Sequence, residues 1–414
     1  ASDVYKRQGW ERQLNGISNN EKAVLLLEKR TFKELLVDME LRNLQNNIVG
    51  QEASRLFARA EINMGVEAFR DSLYSLLKRN TFLNIKFENM LDTLGEISRT
   101  DIRSLLGEWE KTTPLPFYSL GEPTLTKITN KGGEEFFVLK MLISNNSDYD
   151  GIIHMDIRKD GWWYQPLEDP RAKTKIEMPA HTSKEFVSVW EDQIRNVEIN
   201  TMVSGNLPNI ISQDINNVKQ ERNKIVKDSI YILPESSFDL PGEIIVDNED
   251  STLFILSAPP IVGLLPKWLD EVEETPFKYS GISWWRPPLQ WTATTNDRYY
   301  GKYIRSAFVI KSGDGSQTAT WKVPVPEVGQ YDLYYHVFKD DELRWNNNLQ
   351  GEYHFKVKYG SEVEDAYVNL RKANEGWEQL GSYYFDSDTI RVVLTDECKL
   401  RSVTADAVKI VKRY

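Results

Sequence analysis

The distribution of proline divides the sequence into two parts that must fold differently. All 17 prolines lie at or after Pro114, and proline breaks a helix interior because it lacks the amide donor and clashes with the preceding turn. Before Pro114, Leu, Glu, Lys, Arg and Ala dominate, and apolar residues recur at helical spacing. The sequence therefore predicts a helical domain over 9–116, which ends at the prolines.

The spacing of apolar residues predicts helices after residue 50 over 51–64, 66–79, 86–97 and 101–110. Gly65 and Gly95 are predicted to end helices, because glycine readily takes the left-handed conformation found just after a helix. Thr100 and Asp101 are predicted to provide the N-cap of the last helix.

Beyond the helical domain the period of the pattern changes to that of strands. Runs such as Phe136–Ile143 and Ile152–Ile157 are typical of strands, and the turn formers Asn145–Asp148 separate them. Strands at this spacing predict an immunoglobulin-like β-sandwich over 117–202. The polar and weakly periodic stretch that follows, 203–240, is interpreted as a linker.

The remaining residues, 241–414, contain strand-like runs from Glu243–Asn248 to Thr389–Leu394. Within them, 258–300 carries two proline pairs and four tryptophans and is interpreted as an irregular insertion. The predicted fold class is therefore multidomain, with a helical domain followed by all-β domains.

Charge and composition exclude several classes of partner. The formal net charge is −11 and the pI is near 5.2, whereas nucleic acids and anionic membranes bind basic surfaces. No apolar run reaches the roughly 18 residues that a membrane-spanning helix needs, so we expect no span in this chain. Cys398 is the only cysteine, which excludes an intrachain disulfide and a multi-cysteine metal site.

The sequence contains none of the motifs that would place catalysis in this chain. Its histidines form no HExxH motif, and all of them except His181 lie in strand-like surroundings that favour structural roles. No GxSxG, phosphate-binding or dinucleotide fingerprint occurs. The acidic runs 340–342 and 362–365 are interpreted as solvated turns rather than calcium ligands. We therefore expect no catalytic residue, no metal ligand and no cofactor here.

Tryptophan suggests a binding role instead. Seven of the 12 tryptophans lie beyond residue 260, and flat aromatic faces stack on the apolar faces of sugar rings. The alternative is that these side chains pack the β-domain core or hold the 258–300 insertion against it, and the pattern favours such packing most for Trp321 and Trp377. The candidates for ligand binding are those with loop-type neighbours, namely Trp284, Trp285, Trp291 and Trp345.

Several motifs after residue 240 resemble the golvesin-type C-terminal domain, also called the xanthan-lyase carbohydrate-binding-like domain. They are EIIVDN from Glu243, GKYIRSA from Gly301, ATW from Ala319, GQYDLY from Gly329, GWEQLGSYYF from Gly376 and ADAVKI from Ala405. The resemblance implies a galactose-binding-like jelly roll that accompanies secreted or surface enzymes and binds glycan, peptide or a partner domain. The 258–300 insertion departs from the family's usual short connection. A purely structural jelly roll without a ligand is an alternative.

The stretch 45–200 resembles the tail of the aminopeptidase N-like zinc metallopeptidases. The matching motifs are GVEAFR from Gly65, FENML from Phe87, EIS from Glu96, DIRSLLGEW from Asp101 and LPFY from Leu115. The resemblance implies that the zinc ligands and general base lie upstream of Gly9, in a longer parent protein. At 46–50 this chain has Asn-Asn-Ile-Val-Gly, without the Tyr and Lys of the family, which points to a degenerate peptidase.

Asp3–Gln8 resembles a translated sequencing-library transposon end, so 1–8 is interpreted as a non-native leader. We accordingly expect a C-terminal fragment of a larger bacterial protein. The leading hypothesis is a non-catalytic portion of a peptidase-like, membrane-anchored protein, on the periplasmic or cell-surface side and beside the upstream peptidase-like domain of the same protein. The alternative is the tail of an active zinc aminopeptidase whose HExxH lies outside this chain.

Overall fold

The chain divides into two compact units. In the computed structural model, the described residues are 15–81, 83–98, 101, 111–129, 132–159, 165–215, 217–222, 226–234, 242–257, 277–283, 285–339 and 351–413. Asn19–Phe238 forms the first unit, here called the helix–sandwich unit. Asp239–Tyr414 together with Ala1–Ser18 forms the second, here called the terminal β unit. The leader 1–8 and nearly all of the helix expected over 101–110 lie outside the described residues.

The helix–sandwich unit begins with the expected helices. They are α1 Asn19–Lys29, α2 Phe32–Val37, α3 Gln45–Met64, α4 Val66–Arg79 and α5 Phe87–Ser98. Gly65 ends α3 with φ of 84°, which confirms the predicted helix end. The predicted end at Gly95 is wrong, because α5 continues to Ser98. Leu91 and Leu94 of α5 are buried in one apolar cluster with residues of α3 and α4, and this burial outweighs the cost of about 1 kcal/mol for a helical glycine.

Helix α2 begins with a reciprocal cap. The Thr31 hydroxyl accepts from the Glu34 amide at 3.2 Å, and the Thr31 amide donates to the Glu34 carboxylate at 3.0 Å. We expect Thr31→Ala to lower the free energy of unfolding by about 1 kcal/mol in urea denaturation, because a helix amide loses its acceptor. Thr31→Ser keeps the hydroxyl and should retain most of that stability. An equal loss in both variants would show that the cap contributes little.

Two sheets complete this unit. Their strands are β1 Tyr118–Leu120, β2 Thr124–Thr129, β3 Glu135–Asn145, β4 Gly151–Lys159, β5 Gln165–Pro166, β6 Lys173–Met178, β7 Thr182–Trp190, β8 Ile194–Asn200, β9 Ile210–Asp214, β10 Val218–Arg222 and β11 Ser229–Pro234. One sheet has the order β10-β2-β3-β7-β11 with β1 on β3, and the other has the order β5-β4-β8-β9 with β6 on β4. Inward side chains of both sheets form one apolar core, consistent with a β-sandwich.

Strands β9, β10 and β11 lie where the sequence suggested a linker over 203–240. Strand β9 pairs with β8, β10 runs parallel to β2, and β11 pairs antiparallel with β7. The weak periodicity of this stretch has a physical cause. Strand β11 pairs on one side only, and its apolar side chains stay exposed, with Ile232 at 71%, so backbone pairing holds it without an alternating pattern.

The terminal β unit is built from three sheets. Its strands are β12 Glu243–Val246, β13 Phe254–Leu256, β14 Thr292–Thr295, β15 Ser306–Lys311, β16 Thr318–Pro324, β17 Gly329–Val337, β18 Glu352–Tyr359, β19 Glu362–Asn369, β20 Gly376–Phe385, β21 Thr389–Thr395, β22 Ser402–Ala405 and β23 Val408–Lys412. The sheet orders are β12-β23-β17-β20, β13-β16-β21-β18-β19 and β14-β15-β22. Side chains of all three sheets share one core.

Residues just before α1 belong to this terminal β unit rather than to the predicted helical domain. The Gly16 carbonyl accepts from the Thr295 hydroxyl at 2.6 Å. Gly16 has φ of 79°, and a Cβ there would lie 2.5 Å from the Ser280 backbone. Only glycine fits such a close approach without strain. Among the described residues, no helix is both long and apolar enough to cross a membrane.

Candidate ligand-binding face

The four tryptophans proposed from the sequence have different surroundings. Trp284 and Trp345 lie outside the described residues. Trp285 is 65% exposed, and the Arg401 guanidinium lies 5.0 Å from the centre of its ring. Trp291 is half-buried and packs against the core of the terminal β unit. Of the described pair, Trp285 therefore offers the larger accessible ring.

Trp321, for which the sequence favoured a core position, is fully buried, and this prediction is confirmed. Its indole N–H donates to the Asp406 carbonyl at 3.1 Å. Trp377, for which packing was also favoured, is half-buried on the side of its sheet that faces away from the core. Trp377 is therefore not a core residue, but its ring packs 5.1 Å from that of Tyr300, the last residue of the 258–300 insertion, so it belongs to a different surface.

This surface is the outward side of the sheet β12-β23-β17-β20. Strand β17 alternates strictly, so that Leu333 and Tyr335 enter the core while Tyr334 and His336 point outward. Register places His336 opposite Trp377 and Tyr334 between Lys409 and Gln379. We call this surface the outer face and define it by Asp332, Tyr334, His336, Trp377, Gln379, Ser382, Tyr384 and Lys409. Strand β20 forms its free edge.

Aromatic rings form one end of the outer face. The Trp377 ring centre lies 5.2 Å from that of His336 and 5.1 Å from that of Tyr300, which the loop before β15 supplies. The Lys409 ammonium lies 4.9 Å from the Trp377 ring centre and 5.3 Å from that of Tyr334. These are distances at which a cation is attracted to an aromatic ring.

A buried carboxyl group beneath the outer face holds its aromatic end in place. Asp406 is fully buried and accepts from the Tyr300 amide at 3.1 Å, and its Oδ2 lies 2.9 Å from His336 Nδ1. Burial raises the pKa of Asp406 above its usual range, and His336 partly offsets this effect. One side chain thus orients both a strand residue and a loop residue of the site.

Hydrogen-bonding groups occupy the middle of the outer face, and a second ring lies at its far end. Asp332 accepts from Gln379 Nε2 at 3.0 Å and from the Ser382 hydroxyl. The hydrogen bond from Arg413 lowers the pKa of the Asp332 carboxyl. Tyr384 is 60% exposed, although its neighbours on the strand point into the core. Trp377 and Tyr384 are seven positions apart along β20, which corresponds to about 20 Å.

Histidine and carboxylate side chains of this unit could also serve as metal ligands. Within the described part of the chain, no three His, Cys, Asp or Glu side chains converge in a way that could hold a metal ion. The other strand histidine of this unit, His354, lies between Asp365 and Glu397 at 2.8 and 3.3 Å and stacks on Tyr367. These contacts hold the imidazole ring in place, as expected of a histidine with a structural role.

The comparison with protein families gives a match within the terminal β unit. The family model described as the Golvesin C-terminal domain matches residues 287–412, a range that includes every residue of the outer face. No curated protein matches this chain.

Solved structures share only weak similarity with the chain. Aminopeptidase A of Legionella pneumophila, in complex with aspartic acid, has 15% identity and a TM-score of 0.20 over 36% of this chain and 16% of its own. A β-glucuronidase of Bacteroides uniformis has 12% identity and a TM-score of 0.21 over 77% and 32%. Murine APRIL has 13% identity and a TM-score of 0.16 over 26% and 85%. The chain spans less than a third of the first two proteins, and similarity at this level supports no argument about function.

Proposed function

We propose that the terminal β unit binds glycan through the outer face and that this chain is a non-catalytic portion of a larger protein. The observation that carries the proposal is the arrangement along the edge strand β20. Trp377 and Tyr384 lie at its two ends, with the amide of Gln379 and the hydroxyl of Ser382 between them. The match to the Golvesin C-terminal domain is consistent with a carbohydrate-binding-like jelly roll.

Sugar chemistry fits this arrangement of side chains. A pyranose ring has an apolar face that stacks on an aromatic side chain and hydroxyl groups that exchange hydrogen bonds with polar ones. The outer face carries carboxylate, amide and hydroxyl groups from Asp332, Gln379 and Ser382, and beside them the Lys409 ammonium, which pairs with Glu243 at 3.0 Å. A separation of about 20 Å between the end rings suits an extended oligosaccharide rather than a single sugar.

The parent protein and its location are part of the same proposal and rest on the sequence resemblance. We propose that the parent is peptidase-like and membrane-anchored, that this chain lies on the periplasmic or cell-surface side, and that the helix–sandwich unit supports the upstream domain. Any zinc of that parent would be held by residues outside this chain. Long-read sequencing of the source DNA upstream of this reading frame tests the proposal, since a parent without peptidase-like sequence would contradict it.

The glycan proposal predicts a selective effect of Tyr384→Ala. We expect the full chain to bind members of an array of bacterial and plant oligosaccharides, and Tyr384→Ala to weaken the best ligand about tenfold in calorimetry, because an exposed stacking ring contributes roughly 1.4 kcal/mol. Trp377→Ala should cost at least as much. The matched control is Tyr367→Ala, since Tyr367 is 58% exposed, against 60% for Tyr384, but lies in the other sheet.

Several outcomes would contradict this prediction. An equal loss in Tyr367→Ala would show that the effect is not local to the outer face. A loss in Trp285→Ala with none in Tyr384→Ala would move the site to the loop near Arg401. Binding of peptides but of no glycan on the array would contradict the ligand class, and no binding at all would favour a purely structural domain.

A further inference from the structure

A second candidate site lies in the helix–sandwich unit, and it shares no residue with the outer face. A pocket of about 350 Å³ opens between helix α3 and the sandwich. Its lining comes from α3, from the chain around Pro114 and Pro116, from the turn between β3 and β4, and from Met202 and Val203 after β8. The volume lies at the lower end of those seen for small-molecule sites.

One wall of the pocket carries two arginines. Arg55 and Arg59 are four residues apart on α3 and therefore lie on one face of the helix. Arg55 forms an ion pair with Glu52 at 2.6 Å. Over the described parts of the chain, no carboxylate lies within ion-pair distance of Arg59 and no hydrogen bond reaches its guanidinium. Burial and the neighbouring Arg55 lower the pKa of Arg59, so this cation is kept in a place that disfavours it.

Two carboxylates also line the pocket. Asp148 and Asp150 belong to the turn between β3 and β4 and are exposed. Asp148 Oδ1 lies 2.8 Å from His181 Nε2, and Asp150 accepts from the Ala180 amide at 2.8 Å. Both aspartates are therefore held in position, and the pocket is lined by charges of both signs, with the charge of Asp150 acting on Arg59.

The walls of the pocket are preorganised. The Thr113 amide donates to the Leu27 carbonyl at 2.9 Å, and the Gly205 amide donates to the Pro116 carbonyl at 3.0 Å. Among the described residues, the non-glycine residues with positive φ are Met202, at 53°, and His181, at 50°. Met202 lines the pocket, and His181 contacts Asp148. Such backbone strain is concentrated at functional sites, because the surrounding structure must maintain it.

From this arrangement we propose that the pocket binds a small zwitterion, with its carboxylate on Arg59 and Arg55 and its ammonium group at Asp148 and Asp150. A guanidinium recognises a carboxylate through two parallel hydrogen bonds. A multiply charged anion such as phosphate would suit the arginines but would be repelled by the two aspartates. The ligand class is a free amino acid or the termini of a short peptide.

Calorimetry on the full chain tests the proposal with glycylglycine, acetate, ethylamine, inorganic phosphate and glucuronate as probes. We expect glycylglycine to bind at least tenfold more tightly than either acetate or ethylamine, because only the zwitterion pairs with charges of both signs. Arg59→Gln should weaken glycylglycine at least tenfold, and Arg59→Lys should recover only part of that loss. The control is Arg70→Gln, since Arg70 on α4 is 67% exposed and pairs with Glu67.

A second variant separates binding from folding. Asp150→Asn removes one carboxylate at an exposed position and should weaken the binding of glycylglycine without weakening that of acetate. The thermal midpoint of Arg59→Gln should be no lower than that of the unsubstituted chain, because the substitution removes a disfavoured cation. Three results would overturn the proposal: no binding of glycylglycine at millimolar concentration, unchanged binding in Arg59→Gln, or tighter binding of phosphate or glucuronate than of glycylglycine.

Discussion

Asp406→Ala is expected to destabilise the terminal β unit by about 3 kcal/mol. The substitution removes a fully buried carboxyl group and leaves the Tyr300 amide without its acceptor and His336 Nδ1 without its hydrogen-bond partner. Removing one partner of a buried hydrogen bond is costly because the other partner stays desolvated and unsatisfied. Hydrogen exchange of the full chain measures the effect, since peptides of β17 should lose protection while peptides of β7, in the other unit, serve as an internal control.

Asp406→Asn is the matched control, and it adds a dependence on pH. Asparagine keeps an acceptor for the Tyr300 amide, so its cost should be well below that of alanine. Burial raises the pKa of Asp406 in the folded state, so the stability that this carboxyl contributes is complete below its unfolded pKa and is lost as pH rises through the raised value. As the pH rises through that value, the asparagine variant should therefore become more stable relative to the unsubstituted chain. A constant difference would contradict the role assigned to Asp406.

The elements with a strict hydrophobic period could be predicted from the sequence. Strand β17 alternates large apolar and polar residues, and its run was recognised because a strand with one buried face must alternate. Helix α5 was recognised over 86–97, within one residue of its observed bounds, whereas the helix end suggested by Gly95 was wrong, because the burial of Leu94 that carries the helix past Gly95 depends on contacts with α3 and α4. Strand β11 was not recognised. It is held by backbone pairing with β7, and its exposed side chains do not alternate between apolar and polar.

The candidate site was less predictable than the fold. Trp321 and Trp377 both lie in strands, and the tryptophan itself does not show which side of a sheet it occupies. The outward position of Trp377 depends on its register with His336 and on the bulge of β20 at Leu380, opposite Leu333 and Tyr334. One local signal existed, because in Tyr383-Tyr384-Phe385 only the middle ring can point away from the core. Asp406 has no signal of its own in the sequence, since its partners lie on β17 and in the loop before β15.

Gly151→Ala is expected to destabilise the helix–sandwich unit by about 3 kcal/mol or more. A Cβ at this position would lie 1.7 Å from the Tyr118 hydroxyl oxygen and 2.7 Å from Pro116 Cγ. Tyr118 cannot move aside easily, because it is fully buried and its backbone exchanges hydrogen bonds of 2.9 and 2.8 Å with the Asn206 side chain. Overpacking at a rigid site forces backbone shifts. Urea denaturation should detect the loss.

Two further variants decide whether this overlap is the cause. Tyr118→Phe removes the atom that an alanine at 151 would meet most closely, so the double variant Gly151→Ala/Tyr118→Phe should recover a large part of the lost stability, and the two changes should be strongly non-additive. Gly50→Ala makes the same chemical change inside α3 at a position with no neighbour within 4 Å, and it should stabilise the unit by up to about 1 kcal/mol through helix propensity. Opposite signs at the two glycines, with rescue only at Gly151, would attribute the loss to the contact with Tyr118, whereas a double variant as unstable as Gly151→Ala alone would place its cause at Pro116.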